Sequence, residues 1–130
     1  MVDNSMKPED VVAAIIKKDN LYFIAQRSRD KHMGLKWEFP GGKVEANETL
    51  QEALTREIHE ELNININVYE KIAEERYKDS KINIVLHYFL CSIKDGDISL
   101  NEHEAMEWVD KTDFDKYDFV VGDGNITSLI

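Results

Sequence analysis

One helix constrains this chain more than any other feature, because acids share its buried stripe. Thr49 followed by Glu52 is a capping-box start. Apolar residues then recur at Leu50, Ala53, Leu54, Ile58 and Leu62. Asn63 follows, one of the few non-glycine residues that tolerates the left-handed conformation at a helix end. At about 100° per residue from Leu50, Leu54 falls near 40°, Ile58 near 80°, Leu62 near 120° and Ala53 near 300°. On the same wheel Glu61 falls near 20°, Glu57 near 340° and Glu60 near 280°. Two carboxylates thus point within the apolar stripe, and a third sits at its margin. Burying an unpaired carboxylate is costly, and acids at i, i+3 and i+4 repel one another. Either cations hold them together, or the C-terminal half of the helix faces water. Glutamate oxygens with a divalent cation mean Mg²⁺, Mn²⁺ or Ca²⁺, not a soft metal. Arg56 has an ordinary reading as well, since Glu52 lies four residues before it in the orientation of a surface ion pair.

Around that helix the pattern is mostly strand. Val11 to Ile16 is a continuous apolar run suited to a buried strand, and Leu21 to Gln26 reads as its hairpin partner across the Asp19-Asn20 turn. Arg27 to Trp37 reads as a loop, and Glu38-Phe39-Pro40-Gly41-Gly42 is expected to end any regular element. Ile64 to Tyr77 alternates as a strand does. Ile82 to Ile93 is the best central strand, β-branched and aromatic. Asp95-Gly96-Asp97 is a turn, Ala105 to Val109 a short strand, and Asp110 to Tyr117 room for a short helix. Gly122 to Ile130 reads as a cap and the start of a final helix. This order suggests a mixed sheet covered by helices, an α/β (α+β) fold. Residues 1–130 read as a single domain, with 1–8 a loose lead-in.

A formal net charge of −10 repels nucleic-acid backbone and anionic membrane, so no nucleic-acid polymer is expected as partner. Cys91 stands alone, which excludes a disulfide framework. The polar, acidic N-terminus is no signal peptide, and no apolar run is long enough to span a bilayer, so a cytoplasmic address is expected.

Read as one segment, Gly42, Glu48 and Arg56-Glu57-Ile58-His59-Glu60-Glu61-Leu62-Asn63-Ile64 closely resemble the Nudix box. The one departure is Asn63, where the family has Gly. Trp37 to Glu45, Ala25-Gln26-Arg27 with Lys31-His32-Met33, Glu102-His103-Glu104 before Trp108, and Asp123 resemble the corresponding segments of the MutT-type subgroup. The resemblance spans nearly the whole chain and implies the Nudix α/β/α sandwich with its catalytic loop-helix-loop. It further implies Mg²⁺-dependent hydrolysis of a nucleoside triphosphate to the monophosphate and pyrophosphate, with Mn²⁺ a possible substitute. By the same resemblance Glu57, Glu60 and Glu61 are metal ligands, with the Gly41 carbonyl and Glu102 as further ones. Glu102 alternatively serves as general base, with Glu104 in reserve. Arg56 and Glu48 pair to hold the loop against the helix. Arg27, Phe39, Lys43 and Asp123 are the substrate-binding candidates, and Met33 could join Phe39 beside the base. His32, His59, His87 and His103 show no ligand spacing and are not expected to bind metal.

Asp123 bears on the nucleobase. An ionised Asp only accepts hydrogen bonds and suits the amino group of cytosine or guanine, whereas a protonated one could serve an oxidised purine. A helix N-cap is its structural alternative. Two substrates follow: 8-oxo-dGTP, placed first, and CTP or dCTP. A nucleotide-binding regulator without activity is the alternative of another class, and the intact glutamates argue against it. Monomer and homodimer both stay open.

Overall fold

The computed structural model describes residues 7–130, so most of the expected lead-in lies outside the described residues. Seven strands form one mixed sheet. β1 (Glu9–Lys18) and β2 (Leu21–Arg27) make the expected hairpin, with Asp19 at φ 56° in its turn. β6 (Asn83–Asp95) runs parallel to β1 over eight residue pairs and antiparallel to β5 (Asn65–Lys78). β7 (His103–Asp110) pairs with β2.

Side-chain alternation along β1 divides the core in two. Val12, Ala14 and Ile16 face α1 (Leu50–Leu62) and pack with its Ala53, Leu54, Ile58 and Leu62. Ala13 and Ile15 face the other way, toward Phe114 of a 3₁₀ turn (Lys111–Lys116) and Ile126 of α2 (Asp123–Ile126). Helical elements therefore cover both faces of the sheet, which gives the α/β/α layering. Each fully buried Leu or Ile of α1 contributes about 1.5–3 kcal/mol of apolar burial.

α1 is built as its sequence dictates. Thr49 Oγ1 accepts from Glu52 N at 3.1 Å and Glu52 Oε1 accepts from Thr49 N at 2.9 Å, so both arms of the capping box are present. Glu52 is thereby spent on the cap and makes no pair with Arg56. Asn63 ends the helix at φ 59°, its N–H donating to His59 O.

Two expectations need correction. Glu38 to Gly42 does not end regular structure. Trp37–Glu38 (β3) pairs with β2, and Gly41–Lys43 (β4) pairs with β1. Pro40 between them lacks an N–H but still accepts from Ala14 N at 2.8 Å. A Cβ on Gly41 would overlap the Val12 carbonyl, and its absence lets the two strands close. The second is the N-cap alternative for Asp123: the short final helix starts where expected, but Gly122 is its cap position, at φ 97° with no side-chain cap bond. Among the described residues no helix is long and apolar enough to cross a membrane.

Candidate active site

The loop before α1 is clamped to the helix by one ion-pair network. Arg56 Nε donates to Glu48 Oε2 at 2.7 Å and Nη2 to Glu48 Oε1 at 3.0 Å, a bidentate pair. Nη2 also reaches the Lys43 carbonyl at 3.1 Å, and Glu48 accepts from Glu45 N. These bonds, Arg56 first, hold the Glu48 carboxyl down to about 2. Nη1 of Arg56 extends to Glu57 Oε1 at 2.9 Å and Glu60 Oε2 at 3.4 Å, so one guanidinium fixes three glutamates.

The three acids of the helix are not equivalent. Glu61 is buried, 3 % exposed, and its Oε2 has no hydrogen-bond partner. Glu57 is mostly covered and lies against Gly42, where a Cβ would overlap its carboxylate. Glu60 stands at the rim, 54 % exposed, tied only to Arg56 among nearby cations. Burial pushes the Glu61 carboxyl far above the usual carboxylate range, and Glu57, Glu38 and Glu102 add to the shift. The structure thus sets Glu57 against Gly42 of β4 and Glu61 next to Glu57, with Glu60 at the exposed edge. A buried, unpartnered carboxylate oxygen next to a second acid and a strand segment without side chains suits a hard divalent cation.

Next to these acids lies a cleft of about 260 Å³. Ile82, Ile84, Leu86, Met33 and Val121 give it apolar walls, and Arg27, Glu38, Tyr77 and Asp123 supply polar groups. Gly41 and Gly42 line it too, which joins the cleft to the acids. Arg27 holds Glu38 Oε1 at 2.8 Å and the His32 carbonyl through Nε. Asp123 is 2 % exposed. Its Oδ2 accepts from Phe39 N at 2.9 Å and its Oδ1 from the Tyr88 hydroxyl. Burial raises its carboxyl to about 7, against the lowering pull of those two donors. Phe39 reaches the cleft wall, but its ring is committed to the core, stacked on Phe119 and edge-on to Phe114.

Other candidates lie farther out. Lys43 also borders the cleft, yet its ammonium is well exposed and pairs with Glu9 at 3.3 Å. Glu102 is half-exposed, 3.6 Å from Lys31, close enough for its charge to act on Glu61. Glu104 turns to Arg29. Three residues of the site escaped sequence reasoning in these roles. Glu38 joins Arg27 to His103, whose Nε2 lies 2.8 Å from Glu38 Oε2 and 3.7 Å from Glu61 Oε1. Ligand-capable atoms of Glu38, Glu61 and His103 lie within 4.8 Å of one another. Strand alternation was the available signal: it turns His103 away from its exposed neighbours Glu102 and Glu104. Tyr88, the partner of Asp123, looked like any core aromatic.

Known proteins resemble the chain in sequence and in fold. A model of the NUDIX domain matches residues 6–130. A CTP pyrophosphohydrolase of Escherichia coli K12 is 40 % identical over 103 residues, covering 79 % of this chain and 76 % of that protein. An 8-oxo-dGTP diphosphatase of the same organism is 32 % identical over 115 residues, covering 88 % and 89 %. The solution structure of the E. coli ORF135 protein superposes with a TM-score of 0.80 at 33 % identity, over 99 % of this chain and 92 % of that one.

Proposed function

The chain belongs to the Nudix family as a MutT-type hydrolase, and from that premise we propose that it converts a nucleoside triphosphate to the monophosphate and pyrophosphate. The observation that carries this reading is the Glu57 carboxylate set against Gly42, with Glu61 next to it, where Gly41 and Gly42 of β4 line a base-sized cleft. Water adds at the β-phosphorus, the bridging oxygen leaves with the α-phosphate, and the water's protons pass to base and solvent. Bound Mg²⁺ would neutralise phosphate charge and make the water more acidic. Glu57 and Glu61 would hold it, with Glu60 closing from the rim and the Gly41 carbonyl as a further ligand. Glu102, beside the acids and open to solvent, is the proposed proton acceptor. Arg56 and Glu48 fix the geometry in which Glu57 meets Gly42. Arg27 and Lys43 line the route from acids to cleft and offset phosphate charge.

The base is read by Asp123. Both of its oxygens accept bonds already, from Phe39 N and Tyr88 Oη, so it presents acceptor lone pairs to an exocyclic amine. Guanine and cytosine carry such an amine. 8-oxo-dGTP stays the first assignment, since a carboxyl near 7 can also offer its proton to an oxidised purine. CTP is the second reading, favoured by the 40 % identity to a CTP pyrophosphohydrolase. Measuring kcat/KM for 8-oxo-dGTP, dGTP, CTP and dCTP in Mg²⁺ separates them. We expect 8-oxo-dGTP to lead. A preference for CTP of about tenfold, worth about 1.4 kcal/mol, reverses the order, and no turnover of any triphosphate defeats the proposal.

A further inference from the structure

We propose that His103 is a positioning residue that aims Glu61 at the metal by drawing its other oxygen toward the imidazole. The inference rests on the reading of Glu61 as a ligand. The His103 side chain is 4 % exposed, and its Nδ1 is buried without a hydrogen-bond partner. A proton on that nitrogen would have no acceptor, which is costly in the interior. The ring proton therefore belongs on Nε2, where Glu38 Oε2 lies at 2.8 Å and Glu61 Oε1 at 3.7 Å. Nε2–H then donates to Glu38, and the Oε1 edge of Glu61 faces the same nitrogen at 3.7 Å, too far for a hydrogen bond but near enough for electrostatic attraction. Oε2, the atom without a partner, remains for a cation.

The spacing of Glu38, Glu61 and His103 would also suit a metal held by the imidazole itself. The bare Nδ1 argues against that use, because a ligating histidine ordinarily donates its other N–H to an acceptor. The other oxygen of Glu38 is bound by Arg27 at 2.8 Å. Arg27, Glu38 and His103 thus form a hydrogen-bonded chain that starts at the cleft wall and ends 3.7 Å from Glu61.

The test is Mn²⁺ binding without nucleotide, followed by electron paramagnetic resonance, in the parent, His103→Leu, His103→Gln and Glu61→Gln. His103→Leu removes the donor at similar volume and should weaken Mn²⁺ about 10- to 100-fold, the usual cost of losing such a support. His103→Gln keeps an N–H and should recover most of that loss, which a merely structural role would not predict. Equal Mn²⁺ affinity in parent and a folded His103→Leu overturns the inference. So does discovery that His103 itself ligates Mn²⁺, seen as imidazole nitrogen coupling. If Glu61→Gln binds Mn²⁺ as the parent does, the ligand reading has failed and takes this inference with it. Loss in Glu61→Gln with no loss in His103→Leu rejects the inference alone. The ¹⁵N shifts of the parent imidazole give a check independent of any variant: Nε2 protonated is expected, and a protonated Nδ1 contradicts the proposal.

Discussion

Without metal, burial and the surrounding acids favour the protonated form of Glu61. Binding a divalent ion must expel that proton. Calorimetry of Mg²⁺ binding in buffers of different ionisation enthalpy should therefore report proton release, and it should tighten as pH rises. Glu61→Gln should remove the release and lower kcat about 100-fold or more, as expected when an interaction made at the reacting centre is lost. Asp123 gives a second pH test. Its folded-state value near 7 lies above the ordinary 3.8, so the folded chain holds a proton the unfolded chain has lost. Stability should fall as pH rises between those values. In Asp123→Asn the amide can accept from Phe39 N and donate to Tyr88 Oη, so the share of the slope due to Asp123 should vanish. Thermal melts should show the variant gaining on the parent as pH rises to 8, with the two converging only below the ordinary 3.8. Unchanged pH slopes would argue that Asp123 is ionised throughout. The helical wheel picked out Glu57, Glu60 and Glu61 and set Glu60 at the margin, where the structure leaves it most exposed. It could not supply their partners, Arg56 for Glu57 and the charge of Glu38 acting on Glu61.

Among the elements, α1 was the most legible, since cap, stripe and Asn63 are all local chemistry. Asn63→Gly should change stability by no more than about 1 kcal/mol, because both residues accept the positive φ found there. Thr49→Ala should cost about 1 kcal/mol through the lost cap. Urea unfolding measures both. Gly42→Ala is the sharper case. A methyl group there overlaps the Glu57 carboxylate, so turnover should collapse while the melt shows a folded protein. The strands β3 and β4 were not legible. Two- and three-residue strands carry no periodicity, and backbone bonds to β2 and β1 alone create them. The short final helix and its cap near Gly122 were legible, but the N-cap alternative for Asp123 was not met, because Asp123 is drawn inward by Phe39 N and Tyr88.

For the molecule as a whole, the sheet sets the distance between recognition and reaction. β1 pairs with β4, which carries Gly41 and Gly42, and with β6, whose Leu86 and Tyr88 back the cleft. The mixed sheet was foreseeable from the order of elements. The joining of cleft to acids was not, because it follows from pairing between segments far apart in sequence. A surface with formal charge −10 leaves the metal and the few cations of the site to attract a triphosphate. The most direct test of this account is ³¹P spectroscopy of the reaction run in H₂¹⁸O with Mg²⁺, for parent and Glu61→Gln. It predicts monophosphate and pyrophosphate as products, ¹⁸O in the pyrophosphate, and near-silence in the variant. Diphosphate with inorganic phosphate, or full turnover by Glu61→Gln, would contradict it.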